Sequence, residues 1–142
     1  MNGRKILLIS RHDYRTGWRA GRHFLADAFR DLGASVQFFS VGFSALSMLS
    51  DDHRKNLFAG ANTWQEVAGI NCFLWRSPVH PFGKGLGRFE GVTNSLFRWW
   101  VGSACKALDE AARDADLIIV ESGISAALTG RVRRSAPDAK II

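Results

Sequence analysis

Cysteine is scarce in this sequence, with two residues among 142. Cys72 and Cys105 have neither the short spacing of a zinc site nor the CxxC pattern of a redox centre. Each lies in an apolar pattern, which predicts two small core residues rather than metal ligands or reactive thiols. This cysteine usage fits a reducing cytoplasm.

The patterns of a secretory leader and of a membrane-spanning helix are also missing. The first five residues run directly into the strand-like residues 6–9, with no long apolar region and no small-residue cleavage site. One uncharged stretch, residues 33–50, is diluted by serines, glycines and Gln37, and it predicts a buried strand followed by a short surface helix. We therefore expect a protein on the cytoplasmic side of the membrane.

Several motifs that would assign a chemistry are absent. The sequence contains no GxGxxG, GxxxxGK[ST], GxSxG or HExxH, which argues against a dinucleotide site, a P-loop, a nucleophile elbow and a zinc protease site. We accordingly expect no cofactor and no metal ion in this chain. No RRM, KH or helix-turn-helix signature is present, so nucleic acid is not an expected partner.

Positive charge, in contrast, is abundant. The chain has 19 Lys and Arg against 13 Asp and Glu, for a net charge of +6 and a pI near 10. This balance favours anionic partners, which include nucleic acid, phosphorylated ligands and acidic lipid headgroups. Charge alone does not choose among them.

Short apolar runs bounded by polar residues predict six strands. Such runs are typical of strands that are buried on both faces of a parallel sheet. A turn at residues 68–69 separates two of them and predicts a hairpin. The predicted strands are residues 5–10, 35–40, 64–67, 70–75, 116–121 and 139–142.

Three segments show the spacing of amphipathic helices that pack on such a sheet. One runs from Trp18 to a glycine stop at Gly33. A second, residues 96–111, predicts one long helix, and a third covers residues 122–132. The alternation predicts an α/β fold: a Rossmann-like, mainly parallel sheet with helices on both faces, in one domain of residues 1–142.

Polar residues follow the predicted strands, at the edge where open α/β sheets bind ligands. These loops are polar either because they bind a ligand or merely because they are exposed. His12 and Asp13 are adjacent and point in opposite directions, so they do not imply a catalytic dyad. Glu121 either accepts a hydrogen bond from a ligand hydroxyl or caps neighbouring backbone amides. The candidate binding residues are His12, Asp13, Arg15, Thr16, Arg76, His80, Glu121 and Ser122.

Two basic clusters are candidate surfaces for an anion or a membrane. Arg15, Arg19 and Arg22 fall at helical spacing, and they either clamp an anion or form a solvated helix face. The second cluster interleaves basic and aromatic residues, as membrane-surface segments do, although one of its members, Trp100, belongs to the predicted core stripe. This second cluster consists of Phe82, Lys84, Leu86, Arg88, Phe89, Arg98, Trp99 and Trp100.

Four blocks of sequence carry a resemblance to a known enzyme family. They are residues 9–20 (ISRHDYRTGWRA), 72–82 (CFLWRSPVHPF), 97–99 (FRW) and 120–124 (VESGI). Together these blocks resemble the GumK-like glucuronosyltransferases of xanthan-type polysaccharide synthesis. The resemblance spans nearly the whole chain, with poorly matched stretches at residues 43–64 and 83–91.

The resemblance implies a GT-B enzyme with two Rossmann-like domains, of which this chain is the N-terminal one. That domain would face a lipid-linked oligosaccharide acceptor, and the missing C-terminal domain would bind the donor, UDP-glucuronate. The inverting reaction needs a general base to deprotonate the acceptor hydroxyl, and the family's aspartate for this role is expected beyond Ile142. The resemblance therefore implies no catalytic residue in this fragment, which we expect to be inactive alone.

The same resemblance turns the strand-end residues into candidates for acceptor binding. Because the acceptor would be attached to a polyprenyl diphosphate, we expect peripheral association with the anionic surface of the bacterial inner membrane. The alternative is a stand-alone basic module that binds nucleic acid or an acidic glycan. The candidates for membrane or diphosphate contact are Arg15, Arg19, Arg22, Lys84, Arg88 and Trp99.

Overall fold

Six strands form a single sheet in the computed structural model, which describes residues 3–81, 89–103 and 105–142. Their order is β3-β4-β2-β1-β5-β6, and every neighbouring pair is parallel except β3 and β4. The predicted α/β class, the mainly parallel sheet and the β3–β4 hairpin are therefore confirmed. The strands are β1 (Lys5–Ser10), β2 (Ser35–Phe43), β3 (Trp64–Val67), β4 (Ile70–Arg76), β5 (Leu117–Val120) and β6 (Lys140–Ile141).

Helices connect these strands and cover the sheet. The α-helices are α1 (Gly21–Asp31), α2 (Glu90–Gly102), α3 (Lys106–Asp114) and α4 (Thr129–Ser135). Short 3-10 helices occupy Ala45–Leu49, Lys55–Gly60 and Gly123–Leu128. None of the helices in the described parts of the chain has the length and apolar composition needed to cross a membrane.

Two apolar clusters lie on opposite faces of the sheet, because successive side chains of a strand alternate between its faces. Ile6 and Leu8 of β1 pack in one cluster with Ala26 of α1. Leu7 packs in the other cluster with Leu108 of α3, and residues of α4 join this second cluster. The predicted helices on both faces are confirmed, and each buried side chain of this size contributes roughly 2 kcal/mol through the hydrophobic effect.

The cysteines are core residues, as their apolar context predicts. Cys72 is fully buried on β4, and Cys105 is buried just before α3. Burial raises the pKa of Cys72 to about 12 and also raises the pKa of Cys105. Both thiols therefore stay protonated and behave as small apolar side chains.

The first helix begins later than its pattern predicts. The predicted start at Trp18 was wrong, because α1 begins at Gly21. The backbone N–H of Ala20 donates to Nδ1 of His23 at 3.0 Å, so Nε2 carries the ring proton and donates to the carbonyl oxygen of Asp13 at 3.0 Å. His23 thus ties the start of α1 to the preceding loop.

This later start removes one predicted surface. Arg15 and Arg19 precede α1, so the predicted row of Arg15, Arg19 and Arg22 on one helix face does not form. The end of α1 is as predicted: Gly33 has a φ of 80° and its N–H donates to the carbonyl oxygen of Arg30 at 2.8 Å. A left-handed φ of this kind is the reason for a glycine at this position.

The predicted long helix over residues 96–111 is two helices. The N–H of Ser103 donates to the carbonyl oxygens of Trp99 and Trp100, and the backbone of Ser103 is extended. Nη1 of Arg131 on α4 then donates to the carbonyl oxygens of Gly102 and Ser103, at 3.3 and 3.0 Å. This contact with α4 satisfies carbonyl groups that a continuous helix would bond internally.

Three further segments differ from prediction in their details. β2 extends past Ser40 to Phe43 through an irregular register, and Gly42 has a left-handed φ of 77° within it. The predicted helix after β5 begins as the 3-10 helix Gly123–Leu128 and becomes α-helical at Thr129. The predicted surface helix near residue 45 is likewise a 3-10 helix, in which Leu49 is exposed.

Candidate functional site

A cavity of about 730 Å³ opens at the carboxyl-terminal edge of the sheet. Parallel sheets bind ligands at this edge because the loops that follow neighbouring strands converge there. The loops after β1, β2, β4 and β5 all contribute to the wall of the cavity. Its lining includes Arg11, Gly42, Asp51, His53, Arg54, His80 and Ile124.

Arg54 anchors one wall of this cavity from inside the protein. The side chain is 2% exposed, and its guanidinium donates to the carbonyl oxygens of Arg11 at 2.6 Å, Val41 at 2.8 Å and Gly42 at 3.1 Å. Nε and Nη2 also donate to the two carboxylate oxygens of Asp52, at 2.9 and 2.7 Å. Arg54 therefore fixes residues 52–54 against the ends of β1 and β2.

Arg54 is a site residue that was not among the candidates predicted from the sequence. A buried arginine needs several acceptors at once, and two of its acceptors are the carbonyl oxygens of Val41 and Gly42, which only the irregular end of β2 presents together. The polar block Asp52-His53-Arg54 was the available signal. It lies in the stretch where neither a helix nor a strand pattern is clear.

Glu121, one of the predicted binding residues, braces the end of β1. Oε2 accepts hydrogen bonds from Oγ of Ser10 at 2.7 Å and from the N–H of Arg11 at 2.9 Å. Oγ of Ser10 in turn accepts from the N–H of His12 at 3.0 Å. The carboxylate thus caps backbone amides, one of its two predicted roles, while its other oxygen is not engaged by the described residues and its contact with a ligand hydroxyl stays a prediction.

Asp13 is fully buried and forms an ion pair with Arg15. Burial acts to raise the pKa of Asp13, but hydrogen bonds and charge from Arg15 outweigh it, and the pKa lies below its ordinary value of 3.8. Thr16 closes the same turn by donating from Oγ1 to the carbonyl oxygen of Asp13 at 2.9 Å. These three predicted residues form the scaffold of the loop that follows β1.

The two predicted histidines lie near the cavity and are neutral at pH 7. Burial lowers the pKa of His12 below 6.5, and the charge of Glu121 opposes this only in part. Burial likewise lowers the pKa of His80, with Asp52 opposing it. Nδ1 of His80 is 2.9 Å from Oγ of Ser44, and the ring lines the cavity. Neutral imidazoles can both donate and accept hydrogen bonds.

The other predicted residues are more dispersed. Arg76 stacks on the ring of Phe58, with its guanidinium carbon 4.7 Å from the ring centre, outside the cavity lining. Ser122 is exposed at the start of the 3-10 helix that follows β5. Arg19 forms an ion pair with Asp27.

The membrane candidates are distributed differently from the prediction. The side chain of Arg15 is 5% exposed and therefore does not reach the surface. Trp99 is 56% exposed on α2, whereas Trp100 is fully buried, as the core stripe predicts. The predicted contributions of Phe82, Lys84, Leu86 and Arg88 lie outside the described residues.

Residues 8–142 match the family described as the glucuronosyltransferase GumK, N-terminal domain. The chain belongs to this family. It is also 38% identical over 136 residues to the UDP-glucuronate:glycolipid 2-beta-glucuronosyltransferase of Xanthomonas campestris pv. campestris. That alignment covers 96% of this chain and 34% of the relative, so the chain spans about a third of the length of the curated enzyme.

A shorter similarity joins the chain to a putative arginine/ornithine antiporter of Escherichia coli K12. It is 40% identical over 42 residues, which are 30% of this chain and 9% of the antiporter. The GumK N-terminal domain family accounts for almost the whole chain, and its assignment agrees with the Rossmann-like sheet and with the resemblance carried by the sequence blocks.

Proposed function

We propose that this chain is the acceptor-binding domain of an inverting glycosyltransferase that transfers glucuronate from UDP-glucuronate to a lipid-linked oligosaccharide. The observation that carries the proposal is membership of the GumK N-terminal domain family over residues 8–142. The similar Xanthomonas enzyme is named for a glycolipid acceptor. A second domain would supply donor binding, and an aspartate beyond Ile142 would supply the general base.

The chemistry of the cavity suits an uncharged, hydroxyl-rich ligand such as a glycan. His80 offers a neutral imidazole, Asp51 an acceptor, and Arg11 an exposed donor that forms no ion pair within the described residues. Hydroxyl groups both donate and accept hydrogen bonds, and a mixed set of this kind matches them better than a purely cationic wall. The acceptor hydroxyl would then approach the second domain from this edge of the sheet.

The lipid part of the acceptor requires contact with a membrane surface, and α2 is the best candidate among the described elements. Phe89, Val92 and Trp99 are 63%, 57% and 56% exposed, and Arg98 is exposed beside them. Exposed aromatic and aliphatic side chains next to a cation are typical of helices that lie in a membrane interface. We propose that α2 contacts the inner membrane peripherally.

A transfer assay tests the proposal. The full-length protein should move labelled glucuronate from UDP-glucuronate to a polyprenyl-diphosphate-linked oligosaccharide, and the 142-residue chain alone should not. His80→Ala and Glu121→Gln in the full-length protein should each lower transfer about tenfold with little change in thermal stability, as the loss of a ligand hydrogen bond would.

Glu66→Gln is the matched control for Glu121→Gln, because Glu66 is exposed on β3 outside the cavity lining. Glu66→Gln should leave transfer unchanged. Transfer by the 142-residue chain, or full activity in both site variants, would contradict the proposed acceptor site. Salt-sensitive binding of RNA in place of transfer would favour the basic binding module.

A further inference from the structure

Three aromatic rings lie together beside the cavity, and one of them, His53, lines it. The ring centre of Trp18 is 4.2 Å from that of His12 and 5.8 Å from that of His53, and the two imidazoles are 5.9 Å apart. His12 is half-buried beneath, whereas His53 is exposed and lines the cavity. Trp18 is 54% exposed, so a large part of its surface is open to a ligand.

Buried polar contacts hold the backbone that carries each imidazole. The N–H of His12 donates to Oγ of Ser10, which the carboxylate of Glu121 fixes. His53 sits between Asp52 and Arg54, whose ion pair is almost fully buried. The backbone at both imidazoles is thus fixed before any ligand arrives, which lowers the entropic cost of binding.

The loop that carries Trp18 is anchored in the same way. Asp13 and Arg15 form a buried ion pair within it, and Oγ1 of Thr16 donates to the carbonyl oxygen of Asp13. The helical spacing predicts Trp18 as an apolar position of the first helix, but the residue precedes α1. Trp18 is therefore not one of the apolar residues by which α1 packs on the sheet.

The neighbours of the indole indicate what kind of ligand it fits. A pyranose ring has an apolar face of C–H groups and a rim of hydroxyls, so it needs a flat aromatic surface flanked by hydrogen-bonding groups. Both imidazoles lie next to Trp18, and Arg11 and Asp51 line the cavity together with His53.

An alkyl chain would be better accommodated elsewhere. The groove on α2 is lined by Val92, Leu96 and Trp99 and offers aliphatic contacts without imidazoles. Trp18 and Trp99 are exposed to almost the same degree, 54% and 56%, but in these two different surroundings. The comparison favours a sugar at Trp18.

We propose that Trp18, His12 and His53 form a stacking subsite for a pyranose ring, with Trp18 as the stacking surface and the imidazoles bonding to hydroxyls. The assignment of that ring to the acceptor glycan rests on the proposed function. The subsite itself rests on the geometry of the three rings and on their position at the cavity.

NMR of the ¹⁵N-labelled chain tests the subsite, with cellotetraose as the probe because β-linked glucose presents C–H groups on both faces. The indole N–H signal of Trp18 should shift on titration, and that of Trp99 should not. Sorbitol, which has the hydroxyls but no ring, should leave both signals unchanged. We expect a dissociation constant of about 10 mM or lower for such a site. The absence of a shift at Trp18 at about 10 mM cellotetraose would therefore overturn the proposal.

Variants separate stacking from a general effect on the fold. Trp18→Ala should weaken cellotetraose binding at least about fivefold, and Trp18→Phe, which keeps a ring, about twofold. The matched control Trp99→Ala should bind like the parent protein. Equal losses in Trp18→Ala and Trp99→Ala, or no loss in Trp18→Ala, would each overturn the subsite.

The same variants distinguish failure of this inference from failure of the proposed function. If the full-length protein transfers glucuronate and Trp18→Ala leaves the KM for the acceptor unchanged, the subsite is wrong and the function stands. If cellotetraose shifts the Trp18 signal but the full-length protein transfers no glucuronate, the subsite stands and the proposed function is wrong.

Discussion

Asp13 and Arg15 meet through two parallel hydrogen bonds, from Nε to Oδ1 and from Nη2 to Oδ2, each 2.8 Å long. The side chains are 0% and 5% exposed. Nη1 of Arg15 also donates to Oε1 of Gln65 on β3, at 2.6 Å. One arginine therefore joins the loop after β1 to the edge strand of the sheet, and it does so without facing solvent.

Arg15→Met should destabilise the domain strongly. The methionine keeps the apolar part of the side chain but leaves the carboxylate of Asp13 buried and unpaired, which costs roughly 3–5 kcal/mol. Urea denaturation followed by circular dichroism measures the change in the free energy of unfolding. Adding Asp13→Asn should recover part of the loss, because the buried charge is then removed.

Arg98→Met is the control for this experiment, because Arg98 is exposed on α2 and forms no ion pair within the described chain. Its effect should stay within about 0.5 kcal/mol, as for ordinary surface substitutions. A similarly small effect of Arg15→Met would mean that the pair is solvated in solution.

Arg54→Lys should loosen one wall of the cavity. An ammonium group has three donors on a single atom, so it cannot reach three carbonyl oxygens and both oxygens of Asp52 as the guanidinium does. We expect a loss of about 2–4 kcal/mol. Amide hydrogen exchange should accelerate most in residues 50–60.

The conservative change Arg98→Lys on the exposed face of α2 controls for the chemistry of the substitution and should leave exchange unchanged. If amide hydrogen exchange in Arg54→Lys were instead faster by the same factor across the whole sheet, Arg54 would support the global fold rather than the cavity wall.

The regular part of the fold could be predicted from sequence because its signals are local. β1 is bounded as its apolar run indicates, and the hairpin follows from a turn between two short runs. The break between α2 and α3 could not be predicted, because the apolar stripe continues through it. The carbonyl oxygens at the end of α2 accept hydrogen bonds from Arg131, about 30 residues later in the chain.

The candidate site likewise has features that could be predicted from the sequence and features that could not. The edge of the sheet was predictable, since it follows from parallel strand order. The burial of Asp13 was not, because a polar residue after a strand has the same sequence pattern whether it faces a ligand or an internal partner. Arg54 was missed for the related reason that three of its acceptors are backbone carbonyl oxygens, which leave no trace in the sequence.

Acidification should destabilise the domain before its carboxylates titrate. Burial lowers the pKa values of His12 and His80 below 6.5 in the folded state. Between 6.5 and those lower values the unfolded chain binds more protons, so the free energy of unfolding falls as the pH falls. Urea denaturation from about pH 7.5 to about pH 5 measures this slope.

The double variant His12→Gln/His80→Gln should flatten the slope, since glutamine does not titrate. Asp13 and Asp52 have pKa values below 3.8, so the stability that they contribute is present above that pH and is lost only as the pH falls through their folded-state values. An unchanged slope in the double variant would assign the pH dependence to other groups.

Membrane binding should depend on Trp99 and not on Trp18. The predicted arginine row is not available, because Arg15 is buried and Arg19 is paired with Asp27. The exposed face of α2 retains Trp99, with Arg98 beside it.

Co-sedimentation with vesicles of phosphatidylcholine and phosphatidylglycerol measures this binding, which should weaken with salt. Trp99→Ala and Arg98→Glu should each lower binding several-fold, the latter because each cation near an anionic surface contributes about 1 kcal/mol. Trp18→Ala should bind vesicles like the parent protein. Trp18→Ala is thus the control here, whereas Trp99→Ala is the control for glycan binding. If the parent chain does not bind these vesicles even at low ionic strength, α2 is an ordinary solvated helix, because neither its cation nor its exposed rings then gain by contact with lipid.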